Sequence, residues 1–342
     1  MKIGVLTGGG DCPGLNAVIR AIVRKSVNKN HQVVGIKNGW KGLIDGEYEE
    51  LNINNITGIL HRGGTILGTS RTNPYKKEKG VEKVKESLNK LKLDALIAIG
   101  GEDTLGVAYK LIKDGIKNIV GVPKTIDNDL SATDYTFGFD TAINIVTECI
   151  DRLHTTAESH HRIMVVEVMG RHAGWIATEA GMAGGADMIL IPEIPIDIKE
   201  ICAAIKKRHE RGRTFSIIVV AEGATFKQDD MVLQEEKKDE FGHVRLGGIG
   251  QILAEKIEKI TGYETRVTVL GHIQRGGSPT AFDRILGTRF GLKAVDLVLN
   301  KKFGRMVSLT GNKIIDVPLE DAVAKLKTID MELYEMAKEF FG

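Results

Sequence analysis

Cysteine is scarce in this sequence: Cys12, Cys149 and Cys202 are the only three, far apart and without a C-x-x-C spacing. That excludes a disulfide framework and a zinc site of the usual spacing, and leaves reduced thiols as the expectation. Net charge is scarce as well. At +2, bulk electrostatics signal neither nucleic acid nor a membrane surface as a partner. No apolar run approaches a transmembrane span. The opening residues, Met1-Lys2-Ile3-Gly4-Val5-Leu6, lack the apolar block and cleavage site of a signal peptide, so a cytoplasmic protein is expected. Seven prolines stand against forty glycines, a balance that implies many tight turns and close backbone approaches.

What is present is a globular composition, 42% hydrophobic and 27% charged, in a chain of 342 residues whose length suggests two domains. Short β-rich runs alternate with helical segments. Lys2–Leu6, Val33–Ile36, Leu93–Ile99 and Asn118–Val122 read as strands of a first series, with helices over Leu15–Arg24 and Gly80–Leu91 and another from Val107. A second series begins near Phe139, with a helix over Thr141–Thr155 and strands at Ile163–Val168, Met188–Ile191, Phe215–Val220 and Arg266–Leu270. Residues 225–245, rich in lysine and acids, read as an exposed excursion. The βα rhythm predicts an α/β protein with doubly wound domains.

Chemistry-bearing residues gather where those strands end, which is where open α/β sheets bind ligands. The first strand runs into Gly8-Gly9-Gly10-Asp11-Cys12-Pro13-Gly14 ahead of a helix, a geometry that aims backbone N–H groups at a phosphate. It is neither common glycine motif: Pro13 stands where GxGxxG needs its third glycine, and Leu15-Asn16 replaces the Lys-Ser/Thr of a P-loop. Gly100-Gly101-Glu102-Asp103-Thr104 offers a carboxylate pair that can hold a hydrated magnesium near a phosphate, although Asp103 or Thr104 would also cap a helix. Pro123-Lys124-Thr125-Ile126-Asp127-Asn128-Asp129 brings a lysine and two carboxylates, whose spacing would put both on one side of an extended segment. A loop at 61–74 carries Arg62 and Arg71. In the second series Arg162, Arg171, Arg266, His272 and Arg275 stand at strand ends or their edges, forked or cationic donors suited to a dianionic phosphate, with Glu222 able to accept from sugar hydroxyls. Phosphoryl transfer from a magnesium-bound donor to a sugar is the reaction these two sets suggest.

Five of these stretches, residues 8–16, 100–104, 123–129, 169–175 (Met-Gly-Arg-His-Ala-Gly-Trp) and 271–277 (Gly-His-Ile-Gln-Arg-Gly-Gly), occur in the order found in the phosphofructokinase family, and the sequence resembles that family from residue 4 to 284. The resemblance implies two doubly wound Rossmann-like domains with the active site in the cleft between them. Residues 1–138 with about 274–323 would form the phosphoryl-donor and magnesium domain, and 139–273 with about 324–342 the fructose 6-phosphate domain. By the same resemblance Asp127 is the base, Glu102 the magnesium ligand in place of the more usual Asp, and Arg71 a bridge between donor and acceptor phosphates. Gly10 would approach the donor. Thr125, Met169, Gly170, Arg171, Glu222 and His272 would line the sugar site, and Arg162, Arg266 and Arg275 would grip its phosphate. Arg162 and Arg266 would come from a neighbouring subunit of a homo-oligomer.

Two residues bear on the donor. ATP-using relatives commonly have glycine at the positions of Asp103 and Lys124, and the Asp–Lys pair resembles the pyrophosphate-dependent branch. Asp103 would repel the α-phosphate of ATP, and Lys124 would meet charge on a pyrophosphate leaving group. Pyrophosphate:fructose 6-phosphate phosphotransfer is therefore expected, with an ATP-dependent enzyme as the alternative. A nicotinamide dehydrogenase is disfavoured by the failed GxGxxG, and a silent sugar-phosphate sensor by the presence of both Asp127 and Glu102. Arg20, Arg24, Arg211 and Arg213 would suit an effector site between subunits. His154, where regulated bacterial relatives often carry arginine, counts against it.

Overall fold

The computed structural model describes residues 1–227 and 247–342, so the expected excursion lies outside the described residues from position 228 onward. The chain opens with β1 (Lys2–Thr7), α1 (Leu15–Asn28), β2 (Gln32–Ile36), α2 (Trp40–Asp45) and β3 (Tyr48–Leu51). A long loop leads to α3 (Gly80–Leu91), β4 (Ala95–Gly100), α4 (Glu102–Lys113) and β5 (Ile119–Pro123). α5 (Phe139–His160) crosses to β6 (Ile163–Val168), α6 (Trp175–Ala183), β7 (Met188–Leu190), α7 (Ile198–Glu210), β8 (Ser216–Ala221), α8 (Ile249–Thr261) and β9 (Thr265–Val269). α9 (Ala281–Leu299) returns to β10 (Arg305–Thr310), β11 (Lys313–Pro318), α10 (Leu319–Val323) and α11 (Met331–Lys338).

Two sheets result. The seven-stranded sheet has the order β11-β10-β5-β4-β1-β2-β3, parallel from β10 to β2 with an antiparallel strand at each edge. The four-stranded sheet, β7-β8-β6-β9, is parallel throughout. β4 (Ala-Leu-Ile-Ala-Ile-Gly) and β6 (Ile-Met-Val-Val-Glu-Val) are buried along their whole length, as central parallel strands covered on both faces must be. This is the doubly wound α/β architecture that the alternation of strands and helices predicts.

Strand order decides where ligands can enter. In the larger sheet the chain moves from β1 to β2 on one side, then to β4 on the other, and a crevice opens beyond the carboxyl ends of β1 and β4. In the smaller sheet β8 and β9 flank β6 in the same manner. The helices that carry the chain between sheets start side by side. Asp283, at the start of α9, accepts from the Thr141 N–H at 2.8 Å and its hydroxyl at 2.5 Å at the start of α5. Burial pushes the Asp283 carboxyl up to about 6.

Some local expectations are revised. α4 begins at Glu102, not Val107, so Glu102 and Asp103 occupy its first turn, where acids complement the helix dipole. The segment after β5 is not extended: Asn128 has φ +50°, and its buried amide bonds the Asp134 carbonyl and the Thr136 N–H. α2, β3, β10 and β11 were not expected. The three cysteines are free, and burial raises the thiol of each.

Candidate active site

The glycine loop after β1 is held from several sides. The Gly8 N–H donates to the Ile99 carbonyl on β4 at 2.9 Å, and the Thr69 hydroxyl to the Gly9 carbonyl at 2.6 Å. Asn16, buried at the start of α1, donates to the carbonyls of Arg62 and Gly63 and accepts from the Ile66 N–H. The arginine loop is thereby tied to the cradle, and Arg71 lines the same cleft as Gly9, Gly10 and Asp103. Arg275 approaches from the second sheet. A Cβ at Gly10 would stand 2.6 Å from its Nη1, so a larger residue there would displace the Arg275 guanidinium from this position. Nη1 donates to the Asp11 carbonyl at 3.3 Å.

Lys124, at the end of β5, is 3% exposed and points back at the loop, its ammonium donating to the Gly10 carbonyl. Burial lowers its pKa and the nearby Arg275 adds to this, while Cys12, Asp127 and Asp11 oppose it. Thr125 accepts from the Asp127 N–H at 3.0 Å. Asp127 is buried, and its Oδ1 has no hydrogen-bond partner among the described residues. A buried carboxylate oxygen without a donor is costly, and such groups cluster where a ligand supplies the missing partner. Asp129 lines the cleft beside it, pushed up to about 6 by burial and by the charge of Asp127.

The smaller sheet supplies the other side. Beyond β6, Gly170 (φ +142°) and Arg171 (φ +50°) turn the chain so that Arg171 enters the cleft. A left-handed arginine is strained and persists only where its surroundings enforce it. They do so here: the Arg171 N–H donates to Glu222 Oε1 at 3.3 Å, and its carbonyl lies where a Cβ on Gly223 would stand, 1.7 Å away. Burial, then the charge of Asp127, pushes Glu222 up to about 7. The Met169 N–H donates to Oε1 of Gln274, whose Nε2 donates to the Gly271 carbonyl, linking the β6 loop to the turn after β9.

The structure thus gathers Gly10, Arg71, Glu102, Asp103, Lys124, Thr125, Asp127, Arg171 and Arg275 around one cleft. Met169, Gly170 and Glu222 stand directly behind Arg171, and His272 is exposed on the turn that carries Arg275. Arg162 and Arg266 are elsewhere. They sit at the amino ends of β6 and β9, both paired to Glu264, at 2.9 Å for Arg162. Six-residue β6 separates Arg162 from the cleft by about 20 Å. In the sequence Asp129 stands with Asp127 as a carboxylate of this stretch without a role of its own, and Gln274 is not singled out. The two-residue spacing to Asp127 was a signal for the first, whereas a buried glutamine inside a glycine-rich turn carries little in sequence.

Among the described residues no group of three or more Asp, Glu, His or Cys side chains could cage a metal by itself. The donor set still fits magnesium, which keeps waters and takes one or two carboxylates together with phosphate oxygens. Glu102 is exposed at the mouth of the cleft, and Asp103 and Asp127 line it as well. No helix of the described residues is long and apolar enough to cross a membrane.

Two doubly wound sheets whose carboxyl ends present a glycine cradle, carboxylates and guanidinium groups to one cleft define a two-lobed α/β phosphotransferase. Comparison with known proteins narrows the class. The model of the phosphofructokinase family matches residues 2–298, and the chain belongs to that family. It is 59% identical over 343 residues to the pyrophosphate–fructose 6-phosphate 1-phosphotransferase of Streptomyces coelicolor, with all of both chains covered. It is 52% identical over 344 residues to the ATP-dependent 6-phosphofructokinase of Corynebacterium efficiens, covering 100% of this chain and 99% of that one. The phosphofructokinase of Saccharomyces cerevisiae superposes with a TM-score of 0.82 at 33% identity, over 98% of this chain and 50% of that one.

The raised carboxyls make a stability prediction. The ordinary value for Glu222 is 4.5 and the folded one about 7, so across that window the folded state binds more protons than the unfolded state. The contribution of this group to stability therefore falls as pH rises. Glu222→Gln should melt about 2 °C above the wild type at pH 8, with the gap closing toward pH 5. Equal melting at pH 8 would show that Glu222 is well solvated.

Proposed function

We propose that the chain is a pyrophosphate:fructose 6-phosphate 1-phosphotransferase, moving a phosphoryl group reversibly between pyrophosphate and the C1 hydroxyl of the sugar. The observation that carries the donor assignment is Lys124, a buried ammonium bonded to the carbonyl of Gly10 in the cradle, in a cleft also lined by Asp103. In the forward direction the C1 oxygen attacks the terminal phosphorus of pyrophosphate and the bridging P–O bond breaks. The hydroxyl proton passes to Asp127, and inorganic phosphate leaves with its charge met by Lys124. The partnerless Oδ1 of Asp127 is free to take that proton. Arg71, which lines the same cleft, would bridge the two phosphates.

Magnesium would be held by Glu102 together with donor oxygens, and when bound it neutralises charge on the transferring group. Thr125, Met169, Gly170, Arg171, Glu222 and His272 form the sugar side of the site, with Arg275 on the phosphate. Arg162 and Arg266, about 20 Å from this chain's own cleft, would complete the site of a neighbouring subunit. The greater identity to the Streptomyces coelicolor relative supports pyrophosphate over ATP.

Asp127→Asn should lower kcat by about a hundredfold or more, with much less effect on sugar-phosphate affinity. Mixing it with inactive Arg162→Ala subunits should restore activity if subunits exchange. Normal turnover in folded Asp127→Asn removes the base assignment, and an active, strictly monomeric protein in sedimentation removes the shared site.

The donor assignment predicts opposite effects at its two residues. Asp103→Gly should raise ATP-dependent kcat/KM about tenfold, equivalent to about 1.4 kcal/mol. Lys124→Gly should instead lower kcat with pyrophosphate. If Asp103→Gly leaves the use of ATP unchanged, Asp103 is not a donor filter.

A further inference from the structure

Residues 325–330, between α10 and α11, lie beyond the stretch matched by the family model and form a strap between segments that follow β5 of the larger sheet and β6 of the smaller one. On the side of the larger sheet, Leu326 bridges Leu130, the Ser131 hydroxyl donates to the Lys325 carbonyl at 2.5 Å, and the Lys327 N–H donates to the Asp129 carbonyl at 2.9 Å. The Lys327 ammonium donates to the carbonyls of Thr133 and Asp134 at 2.9 and 2.6 Å. On the side of the smaller sheet, Trp175 Nε1 donates to the Lys327 carbonyl at 3.1 Å, and the ammonium stands 4.8 Å from the centre of the Trp175 ring. Glu193 Oε1 accepts from both the Ile329 and Gly174 N–H groups at 3.0 Å.

The two anchored segments are those that carry the chemistry. Asp129 is two residues from Asp127, and Gly174-Trp175 directly follow the turn that delivers Arg171. The Lys327 side chain touches Thr133 and Asp134, which follow Asp129 in the first segment, and the Trp175 ring in the second, while its backbone N–H reaches Asp129 itself. Partial burial pulls its ammonium down to about 8 while Asp134, Glu179 and Asp129 oppose that. Lys327 is half-buried, and its bond to the Thr133 carbonyl is part-buried, so losing the ammonium would leave that carbonyl short of a partner.

We propose that Lys327 is a positioning residue for phosphoryl transfer, fixing the Asp127–Asp129 turn of one half against the Arg171 loop of the other. The inference rests on the phosphotransferase reading above. Lys327 need not touch substrate. Its effect is on the alignment of the base with the attacking hydroxyl, which governs turnover more than binding.

The test compares wild type with Lys327→Met, Lys327→Arg and Trp175→Phe in steady-state assays of fructose 1,6-bisphosphate formation, with melting temperatures recorded alongside. Lys327→Met should lose about tenfold or more in kcat, with both KM values within about threefold. Lys327→Arg, which keeps the charge and the donors, should recover most of the loss. Trp175→Phe, which removes the indole N–H and one of its two fused rings while keeping an aromatic side chain, should show a smaller loss in kcat of the same kind, and it decides the matter if Lys327→Met does not fold. Wild-type kcat in folded Lys327→Met, a loss carried by KM alone, or an unaffected Trp175→Phe would overturn the inference. A wild type inactive with pyrophosphate and ATP alike would instead overturn the functional reading beneath it.

Discussion

The constraint on which this molecule depends is the withdrawal of opposite charges from water at the meeting of two sheets. Lys124 and Asp127 are buried and Asp129 and Glu222 half-buried, and the charge of Asp127 raises both Asp129 and Glu222 and supports the charge on Lys124. Isolated, such groups would neutralise or open the fold. The Gly10 carbonyl partners Lys124, the Arg171 N–H partners Glu222 and the Thr125 hydroxyl partners Asp129, while Oδ1 of Asp127 is left for a ligand. An anionic ligand entering this cleft meets prepaid electrostatics, the condition under which fixed charges and dipoles lower a barrier.

The fold places these groups through strand order. A switch in winding direction at β1 and β4, and another around β6, opens a crevice on each sheet at the same ends that carry the loops. The crossing helices α5 and α9 begin together at Asp283 and Thr141, so the relative placement of the sheets is tied by buried bonds. The strap around Lys327 is a second tie, close to the reacting groups.

Much of this was legible in the sequence. The central parallel strands are continuous apolar runs, and β6 and α3 have the bounds that their patterns predict. What escaped has physical reasons. β3 (Tyr-Glu-Glu-Leu) and β11 (Lys-Ile-Ile-Asp-Val-Pro) are antiparallel edges, half exposed and charged, without the apolar signal of a buried strand. The first turn of α4 is polar because its acids answer the helix dipole, so periodicity placed its start too late. The left-handed Asn128 is fixed by hydrogen bonds to Asp134 and Thr136 within its own loop, a loop conformation that strand and helix periodicity does not show. Motif spacing located the glycine cradle, Lys124, Asp127 and Arg171, and the strand bounds read from the sequence already put Arg162 and Arg266 at the amino ends of theirs, as the structure has them. The strap of residues 325–330 is polar and irregular, and its role exists only in contacts with segments far away in sequence.

Relatives sharing more than half of these residues carry names of both donor types, so the donor is the point on which the functional reading turns. The most direct measurement is kcat/KM of the wild-type protein for pyrophosphate and for ATP, at saturating fructose 6-phosphate and magnesium, with the reverse reaction from fructose 1,6-bisphosphate and phosphate followed in parallel. A buried Lys124 over the cradle and Asp103 at the first turn of α4 predict a preference for pyrophosphate of about a hundredfold or more, which is about 2.7 kcal/mol, with ready reversal. Equal or better use of ATP, or failure of the reverse reaction with phosphate, would contradict it.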